Sequence, residues 1–487
     1  MAGRFEQAGA QAVPWFISAS CVAHPVLRKF PIGISIVCAH RSFRKASANS
    51  SVILKTTVPV FSKHGVDEAA LSSKLLQHHL THSPIEPDDD GIPFANPSTH
   101  LRFSSFASLF SLTDRSYEAS LFRLGQALFD EIDLRLGDSI TVDIRHRVSS
   151  LRRKVALSSW LENAVIPSID ANLKSNPAVG SSAVAFTLLT GNQVEKACET
   201  AMNGGNLKLA TLISQAGGDF DFREDLKDQL QLWREQKIDV HIDESIRKVY
   251  ALLAGIIDEV VEGPKGERGG DIDVVKGLDW KRTFGLHLWF SEPVDASIAQ
   301  VFQAYSRLTK DSSPGRIVAH PLPWYKEQAS STSSRWKLPS VPPPDAFFSL
   351  IRLHAQPACS LSHILTPLSF GMSPVDYALP WHLYIILSRC MRVRDFADRG
   401  DSGVGRRDDA DGDTDGSESE TGVEGHSPSA DLLASSYAFQ LERSGMIQEA
   451  LFVLLHIEGS AGYVLFFVII RNWVLIASSS IQEGEGG

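Results

Sequence analysis

Ser402 is the residue best placed by its neighbours to act as a nucleophile, because it lies in the tetrapeptide GDSG at residues 400–403. The same tetrapeptide surrounds the reactive serine of trypsin-like proteases, where the serine is held beside a histidine base and an oxyanion hole. Here it lies in a highly charged run with few apolar residues, which is typical of disordered segments. The tetrapeptide therefore does not predict a protease.

Carboxylates with the spacing of calcium ligands follow shortly afterwards. Asp411, Asp413 and Asp415, with Gly416 next in sequence, match the start of an EF-hand loop. The twelfth position of such a loop needs a glutamate that binds calcium through both oxygens, and here it is Gly422. We interpret the run as a solvated acidic segment that binds cations weakly and without specificity.

Three histidines, His78, His79 and His82, have a spacing that a metal ion could use. They lie in the polar end of a predicted helix, and no fourth ligand is evident nearby. We interpret them as a surface cluster and predict no metal site.

A glycine-rich stretch at 263–273, GPKGERGGDID, lacks the order G-x-x-x-x-G-K-[ST] of a phosphate-binding loop. We predict that it connects two helices. The sequence also lacks GxGxxG and HExxH motifs and any convincing acid/base pair. We therefore predict no catalytic, cofactor-binding or metal-binding residues, no cofactor, and no enzymatic activity.

Composition excludes further classes of protein. With 43% hydrophobic and 21% charged residues, the 487-residue chain can form a sizeable core. A net charge of -10 argues against direct binding of nucleic acid as the main task. The five cysteines are scattered, without a CxxC pair, which favours a reducing compartment over a disulfide framework or a zinc knuckle.

The elements that would carry any function are helices. In residues 192–218, Val194, Ala197, Cys198 and Ala201 fall on one helical face. The glycines at 204–205 are predicted to end that helix, and Asn206 to cap the next one, which ends at the glycines 217–218. The pattern predicts a helix–turn–helix hairpin of fewer than 30 residues.

The same pattern recurs elsewhere. Helical periodicity is evident around residues 117–132 and 222–236 and after Asp243, and a second hairpin is predicted at 431–457 with a break at Gly445. Antiparallel helix pairs with short glycine turns predict an all-α fold, an irregular α-solenoid. Only a short β-like segment at 51–61 departs from it, because β-branched residues favour extended structure.

These patterns divide the chain into five segments: an irregular basic N-terminal arm at 1–99, a helical solenoid at 100–393, an acidic disordered insertion at 394–430, a helix pair at 431–458 and a divergent apolar C-terminal end at 459–487. Two alternatives concern the ends. A mitochondrial helical protein could be delivered by the basic, acid-poor residues 1–66. A tail-anchored membrane adaptor could use residues 463–477, although this run contains Arg471 and is shorter than a membrane span requires.

Four segments together resemble a known family. They are AFTLLTGNQVEKACETAMNGGNLKLATLISQAGG at 185–218, LDWKRTFGLHLWF at 278–290, DYALPWHLYIIL at 376–387 and DLLASSYAFQLERSGMIQEALFVLLHIE at 431–458. In this order they resemble the nucleoporin ninety-six family, the C-terminal product of a self-cleaving nucleoporin precursor. The resemblance extends from about residue 100 to about residue 458.

The resemblance implies a solenoid that folds back on itself into trunk, crown and tail. It implies a structural scaffold subunit of the Y-shaped coat complex of the nuclear pore, located at the nuclear envelope and serving nucleocytoplasmic transport and mRNA export. It also implies partners: a β-propeller subunit shared with the COPII coat, completed by an N-terminal β-blade; a second α-solenoid nucleoporin bound through the crown; and other Y-complex nucleoporins. Neither direct nucleic-acid binding nor a membrane span is expected.

The sequence departs from the family at both ends. Residues 41–44 and 51–61 resemble two pieces of the β-blade, but the Trp-Gly-Pro-type stretch of the family is missing between them. After Gly459 the apolar segment stands where the family has further tail helices. The propeller-binding role of the first segment and the tail role of the last are therefore questions for experiment.

Overall fold

The computed structural model is built almost entirely of helices, which confirms the predicted all-α class. It describes residues 34–40, 52–58, 68–87, 91, 93–137, 140–175, 180–261, 263, 271–310, 316–327, 341–398 and 427–457. Most of the acidic insertion predicted at 394–430, and the whole of the C-terminal end at 459–487, lie outside these residues.

The strands form two small antiparallel hairpins. Strand β1 (Ile34–His40) pairs with β2 (Val52–Val58), with Ile34 opposite Val58 and His40 opposite Val52. Strand β3 (Ile85–Pro87) pairs with β4 (Pro93–Ala95). The predicted β-like run at 51–61 thus contains β2, and its partner is the strand that precedes residues 41–44.

Seventeen helices are described, in chain order: α1 Glu68–Thr81, α2 Phe103–Ala107, α3 Tyr117–Phe129, α4 Val142–Ser175, α5 Ser181–Leu189, α6 Val194–Asn203, α7 Leu207–Ile213, α8 Phe220–Glu235, α9 Glu244–Leu253, α10 Trp280–Leu286, α11 Ile298–Lys310, α12 Trp324–Glu327, α13 Ala346–Ala355, α14 Pro367–Phe370, α15 Ala378–Tyr384, α16 Pro428–Arg443 and α17 Ile447–Leu454. Helices α10 and α15 continue into π-helical turns, His287–Ser291 and Ile385–Cys390.

Several helices begin where the sequence supplies an acceptor side chain. Asp243 accepts a hydrogen bond from the backbone N–H of Ser245 and caps α9, as predicted. The carboxylates of Asp219 and Asp279 cap α8 and α10 in the same way. These caps satisfy backbone donors that the first turn of a helix leaves unpaired.

The hairpin predicted at 192–218 is present as α6 and α7. Its turn depends on Gly205, whose φ of +78° is a left-handed conformation that favours glycine. The capping prediction for Asn206 is wrong, because its side chain makes no hydrogen bond to the first turn of α7. Its amide nitrogen lies instead 3.3 Å from the hydroxyl of Ser181 and ties the turn to α5.

The helical stack folds back so that distant parts of the chain share one core. Helix α3 packs against α13, and Tyr117 lies against Phe347 with 4.7 Å between ring centroids. Helix α4 packs against α10, and the indole N–H of Trp289 donates to the Ser158 hydroxyl at 2.8 Å. Trp280 and Phe284 are fully buried in this core.

The two ends of the stack also meet. The backbone N–H of Ala95 donates to the carbonyl of Leu455 at 2.8 Å, and the hydroxyls of Ser72 and Tyr437 lie 3.2 Å apart. Residues 68–81 belong to the predicted irregular arm, whereas in the structure they form α1, with Leu75 in the core. Helix α16 begins at Pro428, three residues before the boundary placed at 431.

The close packing of α2 on α3 gives a first prediction. A Cβ atom added at Gly125 would overlap the ring of Phe103, which is fully buried and cannot move aside freely. We expect Gly125→Ala to destabilise the chain by about 1–3 kcal/mol. Thermal and urea unfolding measure this, and Gly371→Ala is the matched control because its added Cβ meets open space. Equal stability of the two variants would show that this contact is not tight.

Candidate protein-interaction surface

Most of the residues singled out in the sequence fall in ranges that the structure does not describe. Residues 400–403 and 411–422 lie outside the described part of the chain, as do 264–270 of the glycine-rich stretch. The ends of that stretch are tied by a backbone bridge between Val261 and Ile272. Within the described ranges, no three His, Cys, Asp or Glu side chains are placed so that they could hold a metal ion.

The interpretation of the histidines as a surface cluster is wrong for His79, which is fully buried. His78 and His82 are half-buried. The reason is that α1 packs into the core and turns its polar-looking end toward helices that lie more than 300 residues later in the chain.

None of the helices that the structure describes combines the length and the apolarity of a membrane span. Among the cysteines that the structure describes in full, Cys198, Cys359 and Cys390 are free thiols.

Exposed apolar side chains are concentrated in one part of the described sequence. Of nineteen large apolar side chains exposed in the described ranges, six lie between residues 202 and 240. Leu207 and Phe220 are 67% and 72% exposed, at the first positions of α7 and α8. The set is Met202, Leu207, Phe220, Leu232, Ile238 and Val240, here called the crown-side surface after the crown that the family resemblance implies. Such a concentration is typical of a surface that another protein covers.

The solvent side of α8 adds negative charge to the crown-side surface. Asp225, Asp228 and Glu235 lie along one open face of α8 together with Gln229, Gln231 and Leu232. This helix face is therefore acidic around an apolar side chain. A partner that binds it presents apolar side chains flanked by lysine or arginine, because complementary charges fix orientation and speed encounter.

Polar contacts to the core hold α8 in place. The guanidinium of Arg223 donates to the carbonyl of Ser291 at 2.9 Å, which joins α8 to the π-helical turn after α10. On the other side, the rings of Trp233 and Tyr250 pack with centroids 4.6 Å apart, and burial raises the pKa of Tyr250. Helix α8 is thus fixed between α9 and the end of α10.

A buried ion pair supports the segment behind α8 and α9. Arg316 donates to both carboxylate oxygens of Asp273, at 3.1 and 2.8 Å, and its remaining donors reach the carbonyls of Ile257 and Asp258. The two side chains are 6% and 11% exposed. Through this two-pronged contact, Arg316 ties Asp273 to the backbone of Ile257 and Asp258.

A second buried arginine joins α10 to α5. The Nε of Arg282 donates to the hydroxyl of Thr190 at 3.0 Å, at the end of α5. Burial lowers the pKa of Arg282 from its usual range, although a guanidinium stays protonated at any physiological pH. The contact fixes the base of the α5–α6–α7 hairpins that carry Met202 and Leu207.

A family model described as Nuclear protein 96, or Nup96, matches residues 183–463. The match covers more than half of the chain and includes α5 to α17. The chain belongs to the Nup96 family. The resemblance noted in the sequence is thereby confirmed.

Individual relatives of the Nup96-family chain are nucleoporins or nuclear pore complex proteins. Nucleoporin nup189 of Schizosaccharomyces pombe is 29% identical over 391 residues, which is 79% of this chain and 20% of the relative. NUP96 of Arabidopsis thaliana is 29% identical over 236 residues, 48% of this chain and 21% of the relative. Nup98-Nup96 of Drosophila melanogaster is 25% identical over 346 residues, 70% of this chain and 15% of the relative. The chain thus spans about a fifth or less of the length of each.

The crown-side surface of this Nup96-family chain was not predicted from the sequence, and no contact residues were predicted. Leu207 directly follows Asn206, the predicted cap of α7, and Phe220 directly follows Asp219, the observed cap of α8. Both side chains lie outside the apolar face of their own helix. A large apolar residue in that position has no helix neighbour to cover it. A large apolar residue at the first position of a helix, outside its apolar face, is therefore the sequence pattern that could have indicated this surface.

The buried ion pair of the Nup96-family chain gives a second prediction. Arg316→Leu leaves Asp273 buried without its partner, so we expect a loss of about 3–5 kcal/mol in the free energy of unfolding. Arg147→Ala is the control, because Arg147 pairs with Asp295 across 3.8 Å at the exposed surface and should change stability by less than about 1 kcal/mol. Urea unfolding of both variants measures the difference; similar midpoints would contradict the role of the pair.

Proposed function

We propose that the chain is a structural scaffold subunit of the nuclear pore complex, located at the nuclear envelope and serving nucleocytoplasmic transport and mRNA export. The observation that carries the proposal is the Nup96-family match over a folded-back helical stack. The curated relatives are named as nucleoporins or nuclear pore complex proteins, which supports the same location. The role is assembly through protein contacts rather than catalysis.

The first partner that we propose is a second α-solenoid nucleoporin, bound at the crown-side surface. Exposed apolar side chains and the acidic face of α8, within a span of about 40 residues, support a protein partner with apolar and basic groups. Through it the chain would join the other subunits of the Y-shaped coat.

The second partner that we propose is the β-propeller subunit shared with the COPII coat. The hairpin of β1 and β2 supports it, because two strands of seven residues are only marginally stable alone in water. Their outer edges offer unpaired backbone groups to a sheet that lacks strands. Inserted into an open propeller, the hairpin would supply strands of its missing blade.

Imaging of the chain with a fluorescent tag between residues 399 and 426 tests the proposed location. A punctate nuclear rim is the expected pattern. A mitochondrial pattern would favour delivery by residues 1–66, and a reticular pattern without rim enrichment would favour a membrane anchor at 463–477. Either of these outcomes would contradict the pore-scaffold role.

The crown-side surface gives a third prediction. Leu207→Glu with Phe220→Glu should abolish rim enrichment and co-purification of a solenoid nucleoporin, because two charges would be buried in the interface. Stability should change little, since both side chains are exposed and glutamate suits the first turn of a helix. Leu112→Glu is the matched control, at a position 98% exposed in a different part of the stack. Rim enrichment of the double variant equal to that of the control would refute this surface.

The hairpin gives a fourth prediction. Replacing residues 34–58 by a glycine-serine linker of equal length should abolish co-elution with the purified propeller subunit and leave the melting temperature of the helical body unchanged. Replacing only residues 41–51 keeps both strands and serves as the control. Co-elution of the propeller with the chain that lacks both strands would show that the hairpin is not the binding element.

A further inference from the structure

Three buried histidines from distant parts of the chain meet in one cluster. His79 lies in α1, His382 in α15, and His456 directly after α17. The ring centroid of His79 is 5.7 Å from that of His382 and 5.2 Å from that of His456. His79 and His382 have no exposed surface, and His456 is 5% exposed. These three residues are here called the histidine cluster.

Most ring nitrogens of the histidine cluster have no hydrogen-bond partner. Both nitrogens of His79, both of His382 and Nε2 of His456 are buried and unpaired within the described structure. Only Nδ1 of His456 lies near an acceptor, the carbonyl of Phe452 at 3.0 Å. A buried polar atom without a partner is destabilising, so a cluster of this kind in a core needs a physical explanation.

The histidine cluster is packed like an apolar core. Trp381 stacks beside His79 with 4.8 Å between centroids, and Phe106 and Phe452 lie within 6.3 Å of the same ring. Such rings cover the neutral imidazole well, but they cannot replace the water that a charged imidazolium needs. The packing therefore requires that all three rings are uncharged.

Burial and the ionisable groups around the cluster also favour the uncharged form of the three rings. Burial, and after it the neighbouring histidines, lower the pKa of His79 well below its usual range. Burial is also the main cause that lowers the pKa of His382 and of His456 to about 3. The groups that face the cluster are His78 in α1, His82 directly after α1, Arg389 in the π-helical turn after α15, and Tyr437 in α16. Burial raises the pKa of that tyrosine, and Asp376 and Glu449 raise it further.

We propose that the histidine cluster is an acid-sensitive latch: a proton taken up by any of its three rings releases α1 and the β3–β4 hairpin from α15, α16 and α17. The released segment would be 68–95, which holds to the last helices through the cluster, the Ser72–Tyr437 hydroxyl pair and the Ala95–Leu455 backbone bond. The latch is a property of the fold and stands whether or not the chain acts at the nuclear pore.

The direction of the pH effect follows from the protonation states. In the closed form the rings are neutral, whereas in the open form they regain a pKa near 6.5. The open form therefore binds more protons below that pH. Closure is fully favoured above pH 6.5 and is weakened as pH falls toward 3, by about tenfold per pH unit for each histidine.

Hydrogen exchange of the whole chain tests the latch directly. Between pH 7 and pH 5, after correction for intrinsic exchange rates, protection of residues 68–81 should fall by at least about tenfold per pH unit. Protection of residues 194–213, in α6 and α7, is the internal reference and should fall much less. Equal losses in the two segments would mean global acid unfolding and would overturn the proposal.

Variants separate the cluster from other buried histidines. His79→Phe combined with His382→Phe and His456→Phe keeps ring packing and should remove the extra acid sensitivity of residues 68–81. His354→Phe is the matched control, because burial lowers the pKa of His354 to about 4 on α13, outside the cluster. It should leave the response of α1 intact. If the triple variant does not fold, the internal comparison in the unmodified chain still decides the question.

A zinc titration distinguishes the latch from a metal site. Added Zn²⁺ should leave protection of residues 68–81 unchanged at pH 7. A gain of protection that the triple variant loses would mean that the three rings bind metal, and would overturn the latch.

Discussion

Every helix pair in this fold has an apolar face that only a neighbouring pair can cover, and this constraint determines how the rest is arranged. A straight stack would leave uncovered faces at both ends. Here the chain folds back, so α3 lies on α13 and α4 on α10, and α1 lies against α15 to α17. One continuous core results, extending from Leu75 to Leu454.

Folding back brings together segments that are far apart in the sequence. Individual polar contacts hold these segments together, in addition to apolar packing. The ammonium of Lys154 donates to the carbonyls of Pro293 and Val294, at 2.7 and 3.2 Å. The indole N–H of Trp160 donates to the carbonyl of Ser120 at 2.9 Å. The Lys154 contacts satisfy loop carbonyls that regular structure leaves free, and the contacts of both side chains fix the register between neighbouring layers.

Local structure was largely predictable from the sequence, and long-range contacts were not. The hairpin at 192–218 and the break at Gly445 follow from periodicity and glycine chemistry within a few residues. The burial of His79 does not, because its neighbours His382 and His456 lie more than 300 residues away and α1 has a weakly amphipathic sequence. Family resemblance predicted the folded-back shape, but it did not indicate which side chains remain exposed.

The crown-side surface and the histidine cluster lie in separate parts of the stack. From α8 the packing passes through α9 and α5 to α4 before it reaches α3 and the helices near α1. Opening of the latch would expose apolar surface on α1 and on α15 to α17 while leaving the helix pairs that carry Leu207 and Phe220 covered on their inner faces. In the proposed scaffold role, the chain would loosen at the joined ends of its stack and keep the surface that we propose binds its partner.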